Sequence, residues 1–289
     1  MRKEKIIEFL VKSRRYVGLI IIVLSIIIFA WYIRGHPNTL YPIRSTPIYL
    51  IPILLLLYST FLITNFLITV ITITISKKSF SLKGSFILTI YSTLVNFFGP
   101  LQSGPGFRAV YLKKKIGISI KDYTLATFFY YAAFASISLV MMLGVKYPII
   151  SVLLVSVIAG AGLYYLRKQR ISSLVRKALI IGVVTLVQLI IVAIIYYLEL
   201  RATGYTPSIS STLTYTGSAN LALFVAFTPG AVGIRESFIY LSQSIHGIPT
   251  ENIINASLLD RSIYLLFLGI LFLLSSALHI NSKVHATPK

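Results

Sequence analysis

Most of the charge in this sequence is gathered in clusters, and long stretches of the chain carry none. The charge-free windows are 16–33, 45–76, 84–107, 123–145, 147–166, 178–198, 202–234 and 262–282. A helix needs about 20 apolar residues to cross the hydrocarbon core of a bilayer, and these windows hold from 18 to 33 residues. Charged residues make up 12% of the chain and its mean hydropathy is +0.86, against about 25% charged in a soluble domain. No water-soluble stretch is long enough to be a domain of its own. The pattern predicts an all-α, polytopic membrane protein forming a single integral membrane domain over residues 1–289. Cys is absent, which excludes disulfides, thiolate-held clusters and thiol catalysis.

The chain carries 27 Lys+Arg against 7 Asp+Glu, a net +20. Such an excess can mark a nucleic-acid binder, but in a membrane protein the positive-inside rule takes precedence. The basic residues gather at Arg2 to Arg15, Lys77 to Lys83, Arg108 to Lys121, Arg167 to Lys177, and Lys283 with Lys289. These are expected cytoplasmic flanks facing anionic headgroups, with no nucleic-acid partner. The localisation expected is the cell membrane, with both termini cytoplasmic.

Six full spans follow, at about 16–33, 48–75, 123–145, 147–166, 178–198 and 252–280. The segment Phe29-Ala30-Trp31-Tyr32 closes the first span as an interfacial anchor, so that span is expected to be retained rather than cleaved as a signal peptide. Window 84–107 leaves one basic loop and ends at another, yet it is too short to cross twice. Its end, Gly99-Pro100-Leu101-Gln102-Ser103-Gly104-Pro105-Gly106, breaks a helix. A re-entrant hairpin, shielded by protein or lining a cavity, fits both constraints. Window 202–234 ends in a similar break, Thr228-Pro229-Gly230-Ala231-Val232-Gly233, after a loop expected at Glu199–Ser211. Making each hairpin a full span would place basic loops on the wrong side.

The two breaks share an order of residues. Pro100…Gly106-Phe107-Arg108 parallels Pro229…Gly233-Ile234-Arg235. Gly117-Ile118 parallels Gly247-Ile248, Asp122 parallels Asn252, and Ala126 parallels Ala256. One copy starts inside and the other outside, so the expected relation is an inverted repeat with halves at about 48–145 and 178–280. Inverted repeats with broken helices are the pattern of secondary transporters, whose sites lie between the copies.

Glycines that free the backbone, followed by an Arg opening the next helix, make an anion site. The candidate binding residues are therefore Gly104, Gly106 and Arg108 at the first break, and Gly230, Gly233, Arg235 and Glu236 at the second. Asp260 and Arg261 join them, because charges within an apolar helix are costly and default to function. Arg235 and Glu236 are their candidate partners, since the four charges cancel. A purely structural clamp is the other reading of that quartet. His36, His246, His279 and His285 are dispersed, so no metal site is expected. No catalytic residue and no cofactor is expected.

The stretch Asn96-Phe97-Phe98-Gly99-Pro100-Leu101-Gln102-Ser103-Gly104-Pro105-Gly106-Phe107-Arg108-Ala109-Val110-Tyr111-Leu112, with Pro229-Gly230-Ala231-Val232-Gly233-Ile234-Arg235-Glu236, resembles the lysylphosphatidylglycerol synthase transmembrane family of flippase-like membrane proteins. The resemblance implies a lipid-handling role without enzymatic chemistry. None of the residues to Lys289 reads as the soluble synthase that accompanies some members, so aminoacyl transfer is not expected. The chain departs from the family where Phe107 and Ala109 flank Arg108, since an acid often stands there. It departs again where Tyr130-Tyr131 stands at the repeat positions of Asp260-Arg261. The expected function is to bind an anionic phospholipid or polyprenyl-phosphate-linked lipid and move it between leaflets. The alternatives are a membrane subunit that presents such a lipid to a separate transferase, and a structural protein that transports nothing.

Overall fold

The computed structural model describes residues 46–99, 103–144, 146–149 and 172–284, with positions 153, 156 and 160 between them. Every element in this set is a helix. Helix α1 (Leu50–Ile75) is apolar apart from Tyr58, Asn65 and six Ser and Thr residues whose hydroxyls hydrogen-bond back along their own helix. Thr64 donates to Phe61 O at 2.7 Å, Thr69 to Asn65 O at 2.8 Å and Thr72 to Ile68 O at 2.7 Å, which satisfies them without water. Helix α2 (Leu82–Phe98) starts at Ser81, whose hydroxyl caps the Gly84 amide at 3.1 Å. After the break at Gly99, α3 (Gly104–Ile116) ends in Lys113, Lys114 and Lys115, the charge that a helix C-terminus favours. Gly117 stops it in the left-handed region at φ 68°, where a Cβ is penalised. Helix α4 (Ile120–Leu143) follows, capped by Ser119.

The second set runs α5 (Ser172–Ala202), α6 (Ile209–Ala222), a 3-10 turn at Pro229–Ala231, α7 (Ile234–Leu241), α8 (Gln243–His246) and α9 (Thr250–Val284). Among the described residues, four helices are long and apolar enough to cross a membrane: Leu50–Ile75, Ile120–Leu143, Leu174–Ala202 and Thr250–Ser275. They coincide with four of the six spans expected from the sequence. The expected span at 16–33 lies outside the described residues, as does most of that at 147–166. Helix α2 is apolar but shorter.

Side-chain contacts fix which helix ends lie together. Lys177 Nζ donates to Thr74 O at 2.9 Å, so α5 begins where α1 finishes. Ile73, Leu88, Leu112, Ile118 and Tyr123 form one apolar cluster, which brings the start of α2, the end of α3 and the start of α4 to that same end. It gathers Lys77, Lys78, Lys83, Lys113, Lys114, Lys115, Lys121 and Lys177. At the opposite end Asn252 Nδ2 donates to Thr203 Oγ1 at 3.0 Å and Lys146 Nζ to Ser244 O at 3.3 Å. The hairpin α2–α3 therefore enters and leaves at the basic end. The hairpin α6–α7–α8 enters and leaves at the other, where Tyr215 of α6 meets His246 of α8 with ring centroids 6.0 Å apart.

One boundary differs from expectation. The loop placed at Glu199–Ser211 begins only after Ala202, because α5 continues past the first charge and buries Glu199 completely.

Candidate functional site

The tips of the two hairpins meet inside the molecule. Gly104 allows α3 to fold tightly on α2: a Cβ there would stand 2.6 Å from Ser92 O and 2.8 Å from Asn96 Cβ. Gly230, at φ +60°, presents the same problem to Phe97, whose ring edge would be 2.8 Å from an added Cβ. The space left between the tips and the long helices is a cavity of about 220 Å³. Its walls include Asn65 of α1, Asn96 of α2, Arg108 of α3, Tyr130 and Tyr131 of α4, Asn220 of α6, Arg235 of α7, and Asp260, Arg261 and Tyr264 of α9. Asp260 stands ten residues into α9, about 15 Å along its axis at 1.5 Å per residue, half the thickness of a hydrocarbon core of about 30 Å.

Four charges at the second break pair with one another. Arg235 Nη2 donates to Asp260 Oδ2 at 2.5 Å, and Arg261 Nη2 donates to Glu236 Oε1 at 2.7 Å. Arg261 also donates from Nη1 to Gly230 O at 2.8 Å, tying α9 to the 3-10 turn. These are the partners that charge balance had indicated. Asp260 and Arg261 are 7% and 9% exposed, so each pair neutralises charge that the membrane interior would not otherwise accept.

The first break is different. Arg108 Nη1 donates to Thr69 Oγ1 at 2.7 Å and no ion pair among the described residues includes it, although its Nε is buried without a hydrogen-bond partner just as that of Arg235 is. Arg235 reaches Tyr196 Oη in the corresponding way, at 3.3 Å, and both arginines span 39 residues back to the preceding long helix. The two sites thus share a construction. One is filled by a carboxylate and the other is not.

Of the residues singled out in the sequence, Gly104, Arg108, Gly230, Arg235, Asp260 and Arg261 line the cavity. Glu236 stands behind Arg261 as its counterion. Gly106 is exposed, and a Cβ there would meet nothing within 4 Å. Gly233 is the N-cap of α7, and its amide donates to Glu236 Oε2 at 2.8 Å. The Gly104 amide points to Asn96 Oδ1 at 3.3 Å. Both helix starts therefore have protein acceptors for these amides, so guanidinium groups rather than free N–H groups define the cavity's positive character.

Sequence reasoning missed Tyr58 and Glu199. Tyr58 donates to Asp260 Oδ1 at 2.6 Å and lies 3.3 Å from Glu199 Oε1. A glutamate one turn from a helix end reads as an interfacial residue, and nothing local signals that α1, α6 and α9 enclose it. Tyr130, noted only as a departure from the repeat, is held by Gln188 at 3.2 Å.

Fold and site together define a polytopic membrane protein with a charged cavity between two broken-helix hairpins. Residues 154–271 match the family model described as the Lysylphosphatidylglycerol synthase TM region, so that stretch of the chain is similar to this family. Comparison with curated proteins and with solved structures gives no match.

Proposed function

We propose that the cavity receives the phosphate of an anionic lipid headgroup, and that the protein carries such a lipid between leaflets of the cell membrane. The observation that supports this most directly is Arg108, a cation facing an intramembrane cavity with no carboxylate partner. An unpaired charge at that depth is expensive, and an anion drawn from the membrane would compensate it. Phosphate suits the planar fork of a guanidinium. The aromatic wall of Phe61, Phe134, Tyr131 and Tyr264 offers an apolar surface for the part of the lipid next to the phosphate.

The matching construction of the two arginine sites, and hairpins entering from opposite ends, support the inverted repeat with halves at about 48–145 and 178–280. In that arrangement the Arg235–Asp260 pair is the occupied counterpart of the open Arg108 site, and a headgroup would pass from one arginine to the other. The basic end is then the cytoplasmic face.

The test is a leaflet-asymmetry assay in proteoliposomes with fluorescent phosphatidylglycerol, against a zwitterionic fluorescent lipid and against free inorganic phosphate as competitor. Faster exchange of the anionic lipid, lost in Arg108→Ala, supports the reading. Equal rates for both lipids would sink it, and strong inhibition by inorganic phosphate would point to a free anion as the cargo.

A further inference from the structure

Glu199 is 0% exposed, and no cation lies within ion-pair distance of it among the described residues. Its Oε2 has no hydrogen-bond partner, and its Oε1 meets only Tyr58 Oη, at 3.3 Å. Tyr58 has one hydroxyl hydrogen, and the 2.6 Å contact to Asp260 Oδ1 takes it. The remaining contact has a hydrogen between its oxygens only if Glu199 supplies it. Arg235 and Arg261 are already paired with Asp260 and Glu236, so an ionised Glu199 would be a buried charge with no cation in contact among the described residues.

The ionisable groups facing Glu199 are Tyr58 from α1, Tyr196 on its own helix, Tyr215 from α6, Arg235 from α7 and Asp260 from α9. Helix α4 meets α5 earlier, where Tyr130 bonds Gln188, and His246 of α8 lies on the far side of Tyr215. Arg235 is the one cation in the set, and it is committed to Asp260.

We infer that Glu199 is a proton-binding site, holding a proton that the chain Glu199–Tyr58–Asp260 delivers when an anion takes the place of Asp260 on Arg235. The relay rests on the headgroup reading above; the proton on Glu199 does not. In the resting state the carboxylic acid of Glu199 donates to Tyr58, and Tyr58 donates to the carboxylate of Asp260. When a phosphate monoanion occupies Arg235, Asp260 loses its cation. It then bonds the Tyr58 hydrogen as Tyr58 takes the hydrogen of Glu199. Asp260 ends as the neutral acid, Glu199 as the carboxylate and Tyr58 unchanged. The cycle closes when Glu199, itself fully buried, regains a proton passed inward from solvent at the end of α5 three residues on, where Arg201 is exposed. The site gains one anion and one proton, and its net charge stays constant. A lipid anion would therefore move together with a proton.

Two measurements on the full chain in lipid nanodiscs test this. Infrared spectroscopy at neutral pH is expected to show a protonated-carboxyl C=O band that shifts in D2O. It should vanish in Glu199→Gln, which keeps a donor toward Tyr58, and persist in Asp260→Asn. The absence of that band in the wild type, or its survival in Glu199→Gln, overturns the proton site. Addition of short-chain phosphatidylglycerol in weakly buffered solution is expected to cause proton uptake in the wild type. Glu199→Gln should still bind the lipid but take up none. Lipid binding without uptake, or uptake unchanged in Glu199→Gln, overturns the relay. No lipid binding at all overturns the relay and the headgroup reading together, while the infrared band still decides the proton on Glu199.

Discussion

Arg108 and Arg235 occupy corresponding places, yet one is answered by a carboxylate and the other only by a threonine hydroxyl. This difference makes Arg108 the residue whose chemistry can be tested most simply. A lysine keeps the charge but loses the second, parallel hydrogen bond to a phosphate. Hydrogen bonds to charged groups contribute about 1.5–3 kcal/mol, so Arg108→Lys is expected to weaken binding of phosphatidylglycerol by about tenfold to a hundredfold, read by lipid titration of the purified protein. A flank that serves only to orient the chain would tolerate lysine. His246 offers a second test, outside the spanning helices. Its Nδ1 accepts from the Ile248 amide at 3.0 Å and its Nε2 faces Ile239 O at 2.9 Å, which suits the neutral ring. Burial holds the imidazole below its ordinary range. The folded state therefore binds a proton less readily than the unfolded one. Its contribution to stability is complete above about pH 6.5, the unfolded value, and falls as pH drops from there toward the lower folded value. His246→Gln should flatten that part of a melting-temperature profile; an unchanged slope would assign the pH dependence elsewhere.

At the scale of elements, the hairpins depend on close approach and on ion pairs between helices. Gly104→Ala forces a Cβ against backbone of α2, a clash of the overpacking kind that costs about 1–3 kcal/mol. Gly106→Ala, two residues away and in open space, should leave the melting temperature unchanged or slightly raised. The pairs Arg235–Asp260 and Arg261–Glu236 join the α7 hairpin to α9. Breaking one pair by Glu236→Gln strands the Arg261 charge and should cost about 3–5 kcal/mol. The double change Glu236→Gln with Arg261→Gln should recover much of this, measured by thermal unfolding of both singles and the double. The recovery belongs to residues paired in space: changing the chain neighbours Asp260 and Arg261 together removes half of each pair.

For the whole molecule, the arrangement of helix ends sets the topology. Single cysteines can be introduced into a chain that has none. Labels at Ser81 and Lys115 are expected to react from one side of the membrane, and a label at Tyr205 from the other. Opposite sides for 81 and 115 would turn α2–α3 into a crossing and remove the cavity. Much of this architecture is legible in the sequence, because lipid imposes strict rules on a chain. Among the described residues three of the four long helices cover charge-free windows and the fourth runs through Asp260-Arg261, and both breaks fall at their Gly/Pro runs, since hydrocarbon admits only satisfied backbone. The charge quartet was legible for the same reason, as Asp260 and Arg261 could not stand in an apolar helix alone.

What the sequence determined by itself is the class of protein, the position of the breaks and the identity of the charges that need partners. Each follows from solvation, a property local to a segment. The tertiary structure decided which charges are already answered. Only packing reveals that Asp260 is joined to Tyr58, 202 residues away, and that Glu199 shares that hydroxyl across 141. It alone shows that Gly233 is occupied by Glu236 while Arg108 faces the cavity with its Nε unpartnered. A site made by convergence of distant helices leaves no periodicity in any one of them. Its chemistry depends on separations of a few ångströms, and chain order does not encode those.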